Sequence, residues 1–271
     1  MGTVRAEPEL WERYVEAGGN CFDTARHYGD ESEDMLGRFL ERRGTREEVV
    51  LVGKVAHTPD CRPEAVRPQL ERSLELLRTD RVDMLLLHRD DPAVPVREFV
   101  DALDAEVTAG RAGAAGLSNW SAERFEAFDR DAAERGRTRP GVLSNQLSLA
   151  EMLEPVWAGC QRADPAWHER TQTPLLAWSA QARGFFAGRK EDEELRRSWL
   201  SPANLERRAR AGQVAARLGV APAAVALAWL LALPFPTWAV VGPRNCSELD
   251  ACLRGGELEL EPADLDRLAA R

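Results

Sequence analysis

The sequence feature that most constrains the fold is a regular alternation of short apolar runs with amphipathic segments along the 271 residues. Short apolar runs are typical of buried strands, and the segments between them show helical spacing of apolar residues. The predicted strands are residues 21–22, 49–54, 82–88, 112–117, 141–147, 174–178 and 237–241. Parallel strands joined by crossover helices follow from this order, and a closed (β/α)8 barrel fits best. A doubly wound open sheet is the alternative, but it usually carries a Gly-rich phosphate turn after its first strand, and none is present.

The helices expected between these strands follow the same spacing rule. They are residues 8–17, 31–43, 63–77, 96–108, 121–133, 153–163, 203–218, 222–233 and 262–270. Ser121 is the predicted N-cap of its helix. Residues 183–200 are charged and weakly patterned, and we expect a loop there.

Composition and charge limit the classes of partner. A net charge of −9 argues against a nucleic-acid surface, although a local basic pocket for a phosphate remains compatible with it. The longest apolar stretch, residues 221–233, is interrupted by Pro222 and is too short to span a membrane. The chain start lacks a secretory signal pattern. Five cysteines, an odd number without metal-ligand spacing, fit reduced thiols in a cytoplasm.

Polar and ionisable residues follow three consecutive predicted strands. Asp23 ends the first apolar run, Tyr28 follows it across a turn, Lys54 ends the second and His88 ends the third. Because parallel strands bring their carboxyl ends to one edge, these four side chains are expected to form one site. Only Lys54 and Lys190 are lysines among the 36 basic residues, which makes a lysine at this strand end informative. Taken singly, Asp23 would pass for a helix cap and His88 for a loop histidine.

The order Asp23, Tyr28, Lys54 and His88 resembles the catalytic tetrad of the aldo-keto reductases. The resemblance continues through residues 116–119, 144–146, 177–179 and 241–245. It covers almost the whole chain, so residues 1–271 are expected to form a single barrel domain. The fold it implies is a (β/α)8 barrel in which residues 1–4 correspond to the tail of the first strand, truncated at the N-terminus.

The four residues suit carbonyl reduction, which needs a hydride and an acid that protonates the developing alkoxide. Tyr28 would be the general acid in reduction and the base in oxidation. A tyrosine has a pKa near 10, and Lys54 would tune it while Asp23 holds Lys54 in place. His88 would orient the substrate carbonyl or relay the proton. No metal is suggested by the spacing. His27 would be structural or face the substrate, and His57 and His168 receive no role.

The family resemblance also implies a nicotinamide cofactor. Ser118, Asn119 and Gln146 would bind its carboxamide, and Trp178 would stack on the ring where relatives carry tyrosine. Residues 179–184, among them Ser179, Gln181 and Gly184, would line the pyrophosphate. Gly242, Arg244 and Asn245 would lie at the adenosine ribose and its phosphate. The guanidinium of Arg244 suits a 2′-phosphate, which favours NADP(H) over NAD(H). Plain barrel core and a solvated arginine are the competing interpretations of Trp178 and Arg244.

The chain departs from the family pattern in three places. Relatives grip the adenine with Gln or Arg and a Glu-Asn pair, whereas this chain has Glu248, Ala251 and Cys252, and Glu248 would repel a phosphate. Residues 179–181 read Ser-Ala-Gln instead of Ser-Pro-Leu. With most of the first strand missing, we expect either a reading frame that starts upstream or a less stable, more aggregation-prone chain.

The leading hypothesis is an NAD(P)H-dependent oxidoreductase that reduces an aldehyde or ketone to an alcohol. The alternative is a nicotinamide-binding redox sensor of the same fold with little turnover, and a third possibility is a degenerate reductase that folds poorly. The partner would be a small-molecule carbonyl compound, with neither nucleic acid nor membrane involved. Neither the individual substrate nor the oligomeric state follows from the sequence.

Overall fold

The computed structural model describes residues 1–4 and 7–270. The chain divides into two compact units, Met1–Ser144 and Asn145–Arg271. The first unit holds strands β1 (Cys21–Asp23), β2 (Val50–Val55), β3 (Val82–Leu87), β4 (Ala112–Ser118) and β5 (Pro140–Ser144). Its helices are α1 (Pro8–Glu16), α2 (Asp30–Arg43), α3 (Pro63–Leu77), α4 (Val96–Thr108) and α5 (Ala122–Glu134). Short 3-10 turns cover Arg26–Tyr28 and Arg46–Glu48.

The strands of the first unit form a parallel sheet in chain order. Cys21 pairs with Val50, Lys54 with Leu86, and Leu87 with Leu117. The chain start extends this sheet, because the Asp23 amide donates to the Met1 carbonyl at 2.8 Å and the Thr3 amide donates to the Asp23 carbonyl at 3.0 Å. All strand ends therefore point one way, which brings the residues after β1, β2 and β3 to one edge.

Helices of the first unit bury their apolar faces against this sheet and against each other. Trp11 of α1 is fully buried and meets Phe22 of β1 and Phe39 of α2 in edge-to-face contacts, with ring centroids 6.3 and 5.5 Å apart. The helices α2 and α3 approach so closely at Gly37 that a Cβ there would overlap the carbonyl oxygen of Leu76. The turn after β1 is thus fixed between a packed strand and a packed helix.

The second unit holds strands β6 (Leu175–Ala177) and β7 (Thr237–Ala239), which pair in parallel. Its helices are α6 (Pro165–Thr171), α7 (Glu193–Trp199), α8 (Pro202–Leu218), α9 (Pro222–Leu231), α10 (Cys246–Glu257) and α11 (Pro262–Ala269), and a 3-10 turn covers Ala182–Gly184. The apolar α9 is the centre of its packing: Val225 and Ala226 lie in one buried cluster, and Leu227 and Leu230 lie in another.

Most predicted elements are confirmed within a few residues, and three predictions are wrong. The helix expected at 153–163 is absent, since Gly159 has a φ of 75° and the chain turns there. A helix forms instead at α6, where Asp164 accepts from the amides of Ala166 and Trp167 and Pro165 stands in the first turn.

The other two differences concern helices that the sequence did not predict. One lies within the expected loop, and the other follows the last strand. Asp192 caps α7 by accepting from the Leu195 amide, so part of residues 183–200 is helical. Asn245 caps α10 by accepting from the Glu248 amide. The predicted cap at Ser121 is confirmed, because its hydroxyl accepts from the Arg124 amide.

Seven strands lie among the described residues, every pairing named above is parallel, and helices follow the strands, so the α/β class is confirmed. An eighth strand is not found in residues 1–4 and 7–270. The expectation of a single barrel domain stays a prediction. Within the described part of the chain, no single helix is long and apolar enough to cross a membrane, and only α8 and α9 taken together, bent by 102°, reach that length and composition.

Candidate active site

The first unit brings the four predicted catalytic residues to the carboxyl edge of β1, β2 and β3. Asp23 is the last residue of β1, Lys54 lies near the end of β2, and His88 directly follows β3. Tyr28 ends the 3-10 turn that follows β1, where its amide donates to the Ala25 carbonyl at 2.9 Å. The expected convergence of these strand ends is therefore present in the structure.

A buried ion pair anchors the turn that carries Tyr28. Arg26, at the start of the turn, pairs with Asp30 and Glu33 of α2. The Glu33 side chain is 1% exposed, and burial raises its pKa although Ser73 and Arg26 act in the opposite direction. Because both carboxylates belong to the helix that follows the turn, Arg26 fixes the turn relative to α2.

Lys54 connects the polar groups of the site. Its ammonium donates to Asp23 Oδ2 at 2.5 Å and to the Thr24 carbonyl at 3.1 Å, and it lies beside the ring of Tyr28. These two partners use two of the three hydrogens of the ammonium. Burial alone would lower the pKa of Lys54, but Asp23 and Tyr28 raise it above the ordinary value. Lys54 is therefore a cation held at one position.

Tyr28 is half-buried beside this cation. The Lys54 Nζ atom lies 5.2 Å from the centroid of its ring. Burial raises the pKa of Tyr28, the Lys54 charge lowers it, the Asp23 charge raises it, and the net pKa lies above 10.0. The phenol is consequently protonated at neutral pH, the form that can donate a proton to a developing alkoxide.

His88 packs its ring edge-to-face on Tyr28, with centroids 5.9 Å apart. Burial, followed by the charge of Lys54, lowers the pKa of His88 well below its ordinary value. The imidazole is therefore neutral at physiological pH and offers one donor and one acceptor nitrogen. Its Nδ1 has no hydrogen-bond partner among the described residues, while its backbone amide donates to the Val55 carbonyl at 2.7 Å.

Two more histidines complete a cluster of rings at this edge. His27 and His57 stack with centroids 3.5 Å apart and planes 7° apart, and the His57 centroid lies 4.7 Å from that of His88. Sequence reasoning gave His57 no role. Its place three residues after Lys54, just past the carboxyl end of β2, was the available signal.

Arg89 is the second residue that sequence reasoning missed. It is 6% exposed, and its carbonyl accepts from Trp120 Nε1 at 3.1 Å and from Cys61 Sγ at 3.0 Å. Its charge contributes to lowering the pKa of His88 and of both stacked histidines. An arginine in a chain rich in arginine carries no signal in the sequence, so only its burial distinguishes it.

The first unit also holds two of the predicted carboxamide ligands, at the end of β4. Ser118 and Asn119 are buried, and Asn119 has a φ of 58°. The Asn119 amide nitrogen donates to the His88 carbonyl at 3.2 Å and to Ser118 Oγ at 3.0 Å. Asn119 thus ties the end of β4 to the residue after β3, in addition to any ligand it holds.

In the second unit, Gln146 and Trp178 pair through an isolated parallel bridge. Gln146 is 2% exposed, and its amide donates to Ser148 Oγ at 3.1 Å. Trp178 is half-buried, and its buried Nε1 has no partner among the described residues. Trp157 approaches it with a centroid separation of 6.0 Å. A flat face and an unused N–H group beside a buried amide fit a planar heteroaromatic carboxamide such as nicotinamide.

The predicted pyrophosphate residues lie in the turn after β6. Ser179 and Gly184 have φ angles of 51° and 91°. The Gln181 side chain turns inward instead, since its Nε2 donates to the Ala223 carbonyl at 3.1 Å and its Oε1 accepts from Cys252 Sγ at 3.3 Å. Gln181 therefore holds the turn against α9 and α10, and its backbone remains the part suited to a phosphate.

The residues predicted to bind the ribose and its phosphate lie directly before the start of α10. Gly242 faces open space, and Asn245 is the cap of the helix. Arg244 is exposed and its Nη2 donates to Glu248 Oε1 at 2.7 Å, with a second contact from Nε at 3.1 Å. The carboxylate occupies the guanidinium edge that a 2′-phosphate would use.

Among the described residues, no group of three or more His, Cys, Asp or Glu side chains is placed to hold a metal ion. The described ionisable groups of the first unit's edge are instead one carboxylate, one ammonium, one phenol, three imidazoles and the buried guanidinium of Arg89. This set can donate a proton and polarise a carbonyl oxygen.

Comparison with known proteins identifies the family of the chain. The profile of the aldo/keto reductase family matches residues 7–270. The chain is 30% identical to the norsolorinic acid reductase stcV of Emericella nidulans over 98% of this chain and 72% of that protein. It is 25% identical to the aldo-keto reductase YhdN of Bacillus subtilis over 88% of this chain and 74% of that protein.

A solved structure extends the comparison to the fold. The thermostable aldo-keto reductase Tm1743, crystallised with the inhibitor epalrestat, aligns with a TM-score of 0.76 and 23% identity, covering 97% of this chain and 86% of that one. This likeness shows an α/β fold of the aldo-keto reductase type. With the profile match over nearly all residues and the relative at 30% identity, the chain belongs to the aldo/keto reductase family.

Proposed function

We propose that this protein reduces an aldehyde or ketone to an alcohol with NAD(P)H, and that Tyr28 is the general acid. The observation that carries the proposal is the buried Lys54 ammonium, which hydrogen-bonds Asp23 and Thr24 while its Nζ atom lies 5.2 Å from the centroid of the Tyr28 ring. A cation held at one position beside a phenol stabilises the phenolate that remains after proton transfer. A lysine buried only for packing would not need to direct its ammonium at the polar groups of one edge.

Each residue of the site has a distinct task in this reaction. Tyr28 gives its proton to the oxygen on which negative charge develops, and it takes a proton back in the reverse reaction. Lys54 stabilises the phenolate, and Asp23 keeps Lys54 charged and in place. His88 is neutral, so it donates a hydrogen bond to the carbonyl oxygen without competing with Tyr28 as an acid.

The nicotinamide supplies the hydride when it is bound. We propose Ser118, Asn119 and Gln146 as carboxamide ligands and Trp178 as the stacking residue. Residues Ser179, Gln181 and Gly184 are proposed for the pyrophosphate, and Gly242, Arg244 and Asn245 for the ribose and its phosphate. A preference for NADPH rests on Arg244 alone. We expect that preference to be small because Glu248 competes for the same guanidinium.

The substrate is proposed to be a small carbonyl compound, in keeping with the names of the relatives. The protein is proposed to act in the cytoplasm, which is supported by its five cysteines, all of them free thiols.

The decisive experiment replaces Tyr28 by phenylalanine. We expect the rate of carbonyl reduction to fall by about 10²–10⁴-fold, since general acid catalysis contributes about that much. Cofactor binding, measured as quenching of tryptophan fluorescence by NADPH, should persist. Consumption of NADPH in the presence of a panel of aldehydes and quinones gives the rate.

Tyr14 is the matched control, because it is the only other tyrosine of the chain. Its hydroxyl donates to the Cys21 carbonyl at 3.2 Å, at the first residue of β1, whereas Asp23 of the site is the last residue of that strand. Tyr14→Phe removes a phenol hydrogen bond and should retain reduction. Wild-type turnover in Tyr28→Phe would refute the assignment of Tyr28. Cofactor binding without turnover in the wild-type protein would favour a redox sensor.

A further inference from the structure

The turn that carries Tyr28 adjoins a residue at which the backbone is free to rotate. Gly29 follows Tyr28 directly and has a φ of 97°, and a Cβ at Gly29 would meet no atom within 4 Å beyond its chain neighbours. Glycine adopts positive and negative φ with similar ease, so the backbone alone does not fix the angle between the turn and α2. The hydrogen bond from the Gly29 amide to the Arg26 carbonyl is long, at 3.3 Å. The position of the phenol therefore depends on side-chain contacts that cross this glycine.

The ion pair between Arg26 and Glu33 is such a contact. Arg26 starts the 3-10 turn that ends at Tyr28, and Glu33 lies in the first turn of α2. This pair is here called the turn brace. Because its two ends lie on opposite sides of Tyr28 and Gly29 in the chain, it closes residues 26–33 into a ring. Rotation at the glycine would have to break this ring, so the turn brace holds the turn against α2.

The turn brace is buried, which is an unfavourable way to gain stability. The side chains of Glu33 and Arg26 are 1% and 17% exposed. The Oε1 atom of Glu33 is buried and has no hydrogen-bond partner among the described residues. A buried carboxylate loses hydration that its partner repays only in part, so a buried ion pair is weak evidence for stabilisation. This arrangement fits the control of one conformation better than it fits the stabilisation of the fold.

The polar groups that face Glu33 come from the turn and from α3. Burial raises the pKa of the Glu33 carboxyl above its ordinary value. The groups that oppose this effect are Ser73, Arg26 and Arg72. Arg72 also donates through Nη2, at 2.6 Å, to Asp30, the other carboxylate that pairs with Arg26. As the pH falls below neutrality, Glu33 takes up a proton earlier than an exposed glutamate does, and Arg26 then loses its buried ionic partner.

From this geometry we infer that Arg26 and Glu33 are positioning residues, which hold the phenol of Tyr28 where it can protonate the substrate oxygen. The inference rests on the proposed function. The charges that act on the pKa of Tyr28 are those of Lys54, Asp23 and Arg89. The turn brace therefore acts on the place of the phenol and not on its acidity. A misplacement of about 1 Å can cost about 10²-fold in rate, so the turn brace should matter for kcat and little for cofactor affinity.

Two carboxylates that pair with the same guanidinium provide a variant and its matched control. Glu33→Gln removes the buried charge at nearly constant shape, and Asp30→Asn removes the other charge, on a side chain that is 54% exposed. We expect Glu33→Gln to lower kcat for carbonyl reduction about 10- to 100-fold, with KM and the Kd of NADPH within about twofold of wild type. We expect Asp30→Asn to lower kcat by about twofold at most, because exposed ion pairs contribute little.

The pH dependence of kcat separates positioning from a general loss of structure. In the wild-type protein, kcat should fall as the pH falls through the pKa of Glu33, with an inflection above 4.5. This inflection should be absent from Glu33→Gln and present in Asp30→Asn. An inflection caused by the neighbouring histidines would appear in both variants, so only the difference between the two profiles reports on Glu33.

A second measurement observes the phenol directly and needs no turnover. Tyr14 and Tyr28 are the two tyrosines of the chain, so Tyr14→Phe protein labelled with carbon-13 at the tyrosine Cζ gives one resonance, that of Tyr28. At neutral pH we expect the chemical shift to change when Glu33→Gln is added, and acidification of the Tyr14→Phe protein should move its resonance in the same direction. Arg26→Gln opens the same turn brace and should reproduce the change, and it takes the place of Glu33→Gln should that variant fail to fold.

Each outcome supports or overturns the inference. Wild-type kcat in Glu33→Gln, or equal losses in Glu33→Gln and Asp30→Asn, overturns it. So does a Tyr28 resonance that both substitutions of the turn brace leave unchanged, or a loss that appears in the Kd of NADPH instead of kcat. If the wild-type protein binds NADPH but reduces no carbonyl compound, the proposed function fails, and the resonance alone then decides whether the turn brace positions the phenol.

Discussion

The ion pair between Arg244 and Glu248 provides a direct test of how this protein chooses its cofactor. Glu248 lies in the first turn of α10, and it accepts from the Arg244 backbone amide at 2.9 Å as well as from the guanidinium. Glu248→Gln removes the negative charge but keeps a carbonyl oxygen that can accept from the same backbone amide. The start of α10 should therefore survive the substitution, because Asn245 still caps it.

The magnitude follows from the exposure of the pair. The Arg244 side chain is 64% exposed and that of Glu248 is 29% exposed. Exposed ion pairs are worth about 0.2–1 kcal/mol, and an arginine–phosphate hydrogen bond is worth about 1.5–3 kcal/mol. Freeing the guanidinium should thus strengthen NADPH binding by roughly 0.5–1 kcal/mol, or about two- to fivefold in Kd.

The assay is a fluorescence titration with NADPH and NADH in parallel, at low and at high salt. We expect Glu248→Gln to tighten NADPH alone and the gain to shrink as salt screens the charges. Arg244→Ala is the matched control, and it should weaken NADPH while leaving NADH unchanged. Equal changes for both cofactors, or none, would show that Arg244 does not meet the 2′-phosphate.

Two further predictions concern the pH dependence and the packing. Because burial raises the pKa of Tyr28 above 10.0, the phenol is protonated at neutral pH. We therefore expect kcat for reduction to stay level through neutral pH and to fall only above the pKa of Tyr28, whereas kcat for alcohol oxidation should rise as the pH approaches that pKa. A reduction rate that already falls near neutral pH in a kcat–pH profile would contradict this. Gly37→Ala would push a Cβ into the Leu76 carbonyl between α2 and α3 and should lower the free energy of unfolding by about 1–3 kcal/mol. Gly212 lies in α8 with no neighbour within 4 Å of the position that a Cβ would take, so Gly212→Ala should raise the free energy of unfolding by about 0.5–1 kcal/mol through helix propensity alone. Urea unfolding of the two variants measures both changes.

Local patterns in the sequence were sufficient to place most elements. Apolar runs of strand length and helical spacing report which face of an element is buried, and this depends on neighbours along the chain. Caps were the exception in practice. Asp164, Asp192 and Asn245 are each the N-cap of a helix that was misplaced or overlooked. The apolar spacing of these helices is weak, and the capping residue was the stronger signal of where each helix starts.

The convergence of Asp23, Lys54 and His88 also followed from the sequence, for a topological reason. Once strands are parallel and consecutive, their carboxyl ends must share one edge, so a polar residue at each end belongs to one cluster without knowledge of any side-chain angle. The bond from Lys54 to Asp23 is the expected result of that rule.

Tertiary structure alone decided the contacts that arise between loops. The stack of His27 on His57 joins two turns 30 positions apart, and the use of Gln181 to hold Cys252 joins residues 71 positions apart. The Arg244–Glu248 pair, although local, depended on whether residues 246–257 became helical, since only a helical turn brings the two side chains together. The sequence by itself determined which chemical groups reach the edge of the sheet, because strand order is a property of the chain. Which of those groups touch each other was decided by loop dihedral angles and burial, which no period in the sequence encodes.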